Sequence, residues 1–207
     1  MHEVALLVIA KAPLPGRVKT RLCPPLSCEH AAELAEAALL DTLEVVAATP
    51  ASHRVLVFEG DPQRWRPPGF HVLAQRGRGL GERLAAAFDD VRSPALLVGM
   101  DTPQLTPQLL LDGMRALAEP DIDAVLGPAF DGGYWSVGLK RANHEVFDNV
   151  PMSLSTTYTA QRTRIARLGL RIHEQAPLRD VDTLSDARAV AAEVPDSRFA
   201  QVLAAVA

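Results

Sequence analysis

Hydrophobic residues in this chain fall into short unbroken runs, separated by longer stretches in which they recur every three or four positions. The runs Val4 to Ala10, Arg54 to Phe58, Phe70 to Ala74, Ala95 to Val98, Ala124 to Leu126, Tyr134 to Leu139 and Leu170 to His173 predict strands. An apolar run without alternation suits a strand covered on both faces, as in the middle of a parallel sheet. Leu34, Ala38, Leu39, Thr42, Val45 and Val46 form one stripe, which predicts a helix from about Ser27 to Ala48. Further helices are expected from the glycine-rich segment before Glu82 to about Val91, from Pro107 to about Ala118 with Thr106 as N-cap, and over Tyr158 to Leu168 with Gly169 as the stop. Two Ala-rich helical segments finish the chain. Strands alternating with helices predict an α/β fold: a three-layer domain with a mostly parallel central sheet and helices on both faces.

At 207 residues the chain fits one domain, 1–207, with no repeat, low-complexity tract or internal linker. A chain of this size buries about 70% of its unfolded-state surface on folding. The formal charge of −4 argues against a general polyanion binder, so no nucleic acid partner is expected. Cys23 and Cys28 complete no zinc pattern and read as reduced packing residues. The run Val4 to Ala10 is too short for a membrane span and lacks a basic flank, so the expected location is the cytoplasm and no membrane span is expected. A homodimer is compatible with the chain, but nothing in it requires one.

Chemistry concentrates where strands end. The central run Ala95 to Val98 stops abruptly in Gly99-Met-Asp-Thr-Pro103, and Pro103 biases Thr102 towards an extended conformation. The turn leaves the Asp101 carboxylate at the carboxyl end of the strand, the edge at which open α/β sheets bind ligands. After the first strand, Arg17, Lys19 and Arg21 lie in a proline-containing loop beside Gly16, where a phosphate would meet side-chain cations and exposed backbone N–H groups. No Gly-Lys-Ser/Thr follows at P-loop spacing. Gly77, Gly79 and Gly81 precede the helix at Glu82 without the later acidic residue of a dinucleotide fingerprint, and would let a flat ring approach the backbone. In Asp131-Gly-Gly-Tyr134, two residues without Cβ permit close ligand approach, and Tyr134 and Trp135 offer ring faces. Asp180 and Asp182, two apart on an extended segment, point to the same side, and geometry alone does not choose between them.

Lys19-Thr-Arg-Leu22, Gly79-Leu-Gly-Glu-Arg83, Gly99-Met-Asp-Thr-Pro103, Gly127-Pro-Ala-Phe-Asp-Gly-Gly-Tyr134 and Asp180-Val-Asp-Thr183 span nearly the whole chain. In this order they resemble the GT-A-type nucleotide-diphospho-sugar transferase superfamily, in particular a bacterial glycosyltransferase-A-like family related to phospholactate and molybdopterin guanylyltransferases. The resemblance implies a nucleotide or nucleotide-sugar donor whose phosphates are held by Arg17, Lys19 and Arg21, with Gly79, Leu80 and Gly81 near the base. It implies Mg²⁺ or Mn²⁺ on Asp101 and Asp182, with Asp180 mainly bracing the turn. It also implies a small-molecule acceptor at Gly132, Gly133 and Tyr134, and catalytic parts for Asp101, Asp131 and Lys19. The chain departs from the Asp-x-Asp motif of many sugar transferases, because Thr102 and Pro103 follow Asp101, and it lacks the glycine-rich first loop of sugar-phosphate nucleotidyltransferases. Three activities are open at this point: glycosyl transfer, nucleotidyl transfer with release of pyrophosphate, and non-catalytic nucleotide sensing.

Overall fold

A computed structural model of the chain describes residues 4–207. Seven strands, β1 (Ala5–Lys11), β2 (Arg54–Glu59), β3 (His71–Ala74), β4 (Ala95–Val98), β5 (Ala124–Pro128), β6 (Tyr134–Leu139) and β7 (Ile172–Glu174), form one sheet in the order β3-β2-β1-β4-β6-β5-β7. Every pairing is parallel except those of β6, which runs antiparallel to both β4 and β5. Six α-helices complete the fold among the described residues: α1 (Cys28–Ala48), α2 (Leu80–Val91), α3 (Pro107–Ala118), α4 (Thr157–Arg167), α5 (Leu184–Glu193) and α6 (Arg198–Val206). The expected strands and helices all form, with ends displaced by one or two residues. None of the helices is long and apolar enough to cross a membrane, among the described residues.

Strand side chains alternate between two cores, and this is why the apolar runs are unbroken. Leu6, Val8, Leu96 and Val98 pack with α1 and α3 on one face, whereas Ala5, Leu7, Ala95 and Leu97 pack with α2 and the Phe147 region on the other. All four residues of β4 are buried. Burying each such Leu or Val contributes roughly 1.5–3 kcal/mol relative to exposure. A third cluster joins α1 to α5 and α6 through Leu34, Ala38, Val190, Phe199 and Leu203. Its polar fastening is the buried Asp41, which accepts the Phe199 amide at 2.9 Å and Arg198 Nη1 at 3.0 Å.

Local chemistry sets the helix starts. Ser27 accepts His30 N, Thr106 accepts Leu109 N ahead of Pro107, and Thr183 forms a reciprocal capping box with Asp186. The chain runs outward from β1 through β2 to β3, then returns to place β4 on the other side of β1. A crevice therefore opens at the carboxyl ends of β1 and β4, where the direction of winding reverses. Because β6 is reversed, its amino end opens onto this same edge and brings the Asp131 to Tyr134 turn to the crevice.

Candidate active site

A cleft of about 580 Å³ occupies this edge, lined by the ends of β1 and β4, the start of α2, the turn before β6, the segment 152–157 and the strap 180–182. The strap is tied to the β4 turn by Val181 N on Asp101 O at 3.1 Å and by Gln104 Nε2 on Arg179 O at 2.7 Å. Residues 80 positions apart in sequence thus meet as one unit.

Lys19 sits in the left-handed region, with φ of 47°, in the loop after β1. Its side chain is only 8% exposed; Nζ lies 2.7 Å from Asp101 Oδ1 and donates to the Val181 carbonyl. Arg21 pairs with Asp182 Oδ2 at 2.5 Å and reaches the cleft wall. Arg17 does not join them: it is exposed, and its side chain is absent from the cleft lining. Lys11, at the end of β1, takes a place on the wall instead. Its position as the first polar residue after an apolar strand was the available signal for it.

Asp101, Asp180 and Asp182 all line the cleft, but the two acids of the strap differ. Asp182 has a cation beside it. Asp180 is half-buried with its Oδ1 enclosed and without a hydrogen-bond partner, and desolvation followed by the fields of Asp101 and Asp131 pushes its pKa up to about 7, with Lys19 opposing. The sequence reading gave Asp180 a bracing part through the backbone; no such hydrogen bond is formed by its side chain, whereas the bracing is done by Val181 and Gln104.

At the opposite end of the cleft, Gly79 caps α2 and Leu80, 40% exposed, lines the wall. Gly81 faces away, against Phe147 and Met152. Gly77 has φ of 123°, and a Cβ there would come within 2.6 Å of Glu82 Cβ, so this glycine serves the turn itself. Sequence reasoning passed over the polar chain beside it: Arg83 contacts Glu59 at 2.5 Å and Gln75 at 3.2 Å, and Gln75 donates to Ala10 O at 2.7 Å.

In the turn before β6, Asp131 Oδ1 accepts the Gly133 amide at 2.8 Å and Gly132 O accepts the Tyr158 amide at 2.8 Å. Gly132 has φ of 90°, and a Cβ at that position would lie 2.0 Å from Ser155 O, so the turn is pressed against the 153–155 segment. Tyr134 lines the cleft with its hydroxyl on Gln161 Oε1 at 3.2 Å. Burial raises the phenol above its usual range, which keeps the proton on oxygen. Trp135 borders the cleft, but strand alternation sends its ring into the opposite core, with Nε1 donating to Ala176 O at 3.1 Å.

The seven-stranded sheet and this cleft define an α/β protein with the nucleotide-diphospho-sugar transferase fold. Residues 33–154 match the family described as an uncharacterized protein conserved in bacteria, DUF2064, and the chain belongs to that family. A crystal structure of a candidate nucleotide-diphospho-sugar transferase from Desulfovibrio desulfuricans G20 superposes with a TM-score of 0.87 at 29% identity, over 98% of this chain and 94% of that one. 4-Diphosphocytidyl-2C-methyl-D-erythritol synthase aligns with a TM-score of 0.57 at 13% identity, over 94% and 99%. Glucosyl-3-phosphoglycerate synthase from Mycobacterium tuberculosis, in complex with Mn²⁺, uridine diphosphate and phosphoglyceric acid, aligns with a TM-score of 0.54 at 12% identity, over 86% and 69%. These last two likenesses are of fold. No curated protein matches the sequence.

Proposed function

We propose that this protein is a divalent-metal-dependent glycosyltransferase that takes a nucleotide sugar as donor and a small molecule as acceptor. The observation that carries this reading is the acidic cluster at the carboxyl end of β4, where Asp101 and Asp180, with its enclosed and partnerless Oδ1, line one cleft within each other's field. Transferases of the same fold include nucleotidyl and glycosyl enzymes, one of them crystallised with Mn²⁺ and a nucleoside diphosphate.

The residues present fit a divalent cation. A buried carboxylate oxygen with no donor, in the field of a second carboxylate, is the environment that a cation relieves. No group of three or more His, Cys, Asp or Glu among the described residues is arranged to hold an ion alone, so donor phosphate oxygens would complete its shell. Asp101 and Asp180 are the assigned ligands. The second ligand thus moves from Asp182, which is engaged by Arg21, to Asp180. When bound, the ion supplies Lewis-acid neutralisation of charge on the leaving diphosphate.

The chain's own groups do the rest. Lys11 and Arg21 contact donor phosphates from the β1 side, and Lys19 balances the carboxylates while positioning Asp101. Asp131, fixed by the Gly133 amide through one oxygen, orients the acceptor hydroxyl with the other and receives its proton. The cations on the cleft wall are Lys11, Arg21 and Arg83, whereas Lys19 is engaged by Asp101 and Val181 and Arg17 lies outside the lining.

Mass-spectrometric product analysis after incubation with mixed nucleotide sugars, mixed nucleoside triphosphates and Mn²⁺ tests the proposal. Release of nucleoside diphosphate with sugar loss, abolished in Asp101→Asn, is expected. Pyrophosphate release would establish nucleotidyl transfer instead, and nucleotide bound but unchanged would make the protein a sensor.

A further inference from the structure

The walls of the cleft differ in charge. Every lysine or arginine on the lining, Lys11, Arg21 and Arg83, comes from the loop after β1 or from β1 and α2. The lining drawn from residues 131–157 carries a carboxylate, hydroxyls and apolar side chains, and contains no lysine, arginine or histidine. Asp131 is the one charged side chain that this wall contributes to the lining, so the field on it is negative. A phosphorylated or carboxylate acceptor would enter that field without a counter-ion.

The same wall is apolar at its rim. Leu154 is 57% exposed, and Leu80 from α2 adds a second exposed leucine to the lining. Tyr134 and Met152 lie behind them, the hydroxyl of Tyr134 being 3.6 Å from Met152 Sδ. Large exposed hydrophobic side chains are few here, and two of the four among the described residues line this one cavity. The segment is also held in shape. Thr157 Oγ1 donates to Pro151 O at 2.8 Å and accepts Leu154 N at 3.0 Å, and Ser155 is pressed on Gly132. Ser153 is held at φ of 61°, a strained conformation for a residue with a Cβ. Apolar rim and serine hydroxyls are therefore presented as a fixed surface rather than as a loose loop.

We infer that the acceptor is an uncharged hydroxyl compound with an apolar portion, and that this wall excludes phosphorylated and carboxylate acceptors. The inference rests on the transferase reading above and names its acceptor class. The apolar portion lies on Leu154, Leu80 and Met152, and the hydroxyl lies at Asp131. In the transfer, the acceptor oxygen forms its bond to the anomeric carbon of the donor as the bond from that carbon to the phosphate oxygen breaks. The nucleoside diphosphate leaves with the electron pair, and the hydroxyl proton passes to Asp131 and then to solvent.

Isothermal titration with a matched pair of probes, hexyl β-D-glucopyranoside and its 6-phosphate, tests the acceptor class, with nucleotide titrations run on the same protein. The neutral probe should bind at least about tenfold more tightly than its phosphate. Leu154→Lys, at an exposed position, should bring the two affinities within roughly threefold by giving the phosphate a counter-ion. Leu154→Ala should weaken the neutral probe about fivefold through lost apolar contact. Tighter or equal binding of the phosphate by the unmodified protein overturns the inference, as does failure of the neutral probe to bind a protein that binds nucleotides. A protein that binds the neutral probe but no nucleotide would sink the transferase reading and leave this acceptor surface standing.

Discussion

Replacing Asp180 by asparagine should stabilise the metal-free protein, and more so as pH rises. The carboxyl is half-buried with an enclosed, unpartnered Oδ1, and it is pushed from 3.8 up to about 7 by desolvation and by Asp101 and Asp131. A group whose pKa is higher folded than unfolded binds its proton more tightly in the fold. Its contribution is thus neutral below the unfolded value and becomes a penalty as pH climbs from 3.8 to about 7. A separation of about three pH units amounts to roughly 4 kcal/mol once both states are ionised. About 1.5 kcal/mol of that is already present at pH 5, so the advantage of Asp180→Asn should grow by about 2.5 kcal/mol between pH 5 and pH 8. For a chain of this size that is about 5–10 °C in Tm. Thermal melts of both proteins at the two pH values measure the difference, in which other titrating groups and any fixed cost of the amide cancel. Mn²⁺ at pH 8 should raise the Tm of the unmodified protein and leave Asp180→Asn nearly unchanged. A gap between the two proteins that stays constant from pH 5 to pH 8 would refute the burial argument. Equal stabilisation of both by Mn²⁺ would remove Asp180 from the ligand set.

Gly132→Ala should cost about 3 kcal/mol or more in urea unfolding, because φ of 90° disfavours a Cβ and that Cβ would meet Ser155 O at 2.0 Å. The same variant should lose acceptor binding, since the 153–155 segment must move. Asp41→Ala should cost about 2–3 kcal/mol, because the buried Phe199 amide and Arg198 lose their acceptor together. Limited proteolysis should then release the α6 segment at denaturant concentrations that leave the sheet intact, whereas a cut elsewhere first would contradict the packing of α6 on α1.

The elements were legible in the chain because local rules govern them. The unbroken run Ala95 to Val98, the Thr106-Pro107 start of α3 and the glycine after α4 each follow from nearest-neighbour backbone and burial preferences, and each appears where the pattern put it. The motif positions were legible too: Arg21, Asp101, Asp131, Asp180 and Asp182 converge on one cleft, with Lys19 in the recess adjoining it, because strand ends converge at the winding reversal. Which atom faces which partner was not. Asp180 and Asp182 look alike in sequence, being two apart on an extended segment, yet only packing against the β4 turn encloses Oδ1 of the first and leaves the second to Arg21. Tyr134 and Trp135 are adjacent and both border the cleft, and the register of β6 decides that the ring of the second enters the far core. Arg17 and Lys11 are both cations near the first strand, and the path of the loop, not their spacing, puts Lys11 on the wall and Arg17 in solvent. Strand and helix follow from interactions within a few residues, whereas the charge pairing of this site depends on contacts between residues as far apart as Lys19 and Val181, which only the closed tertiary structure specifies.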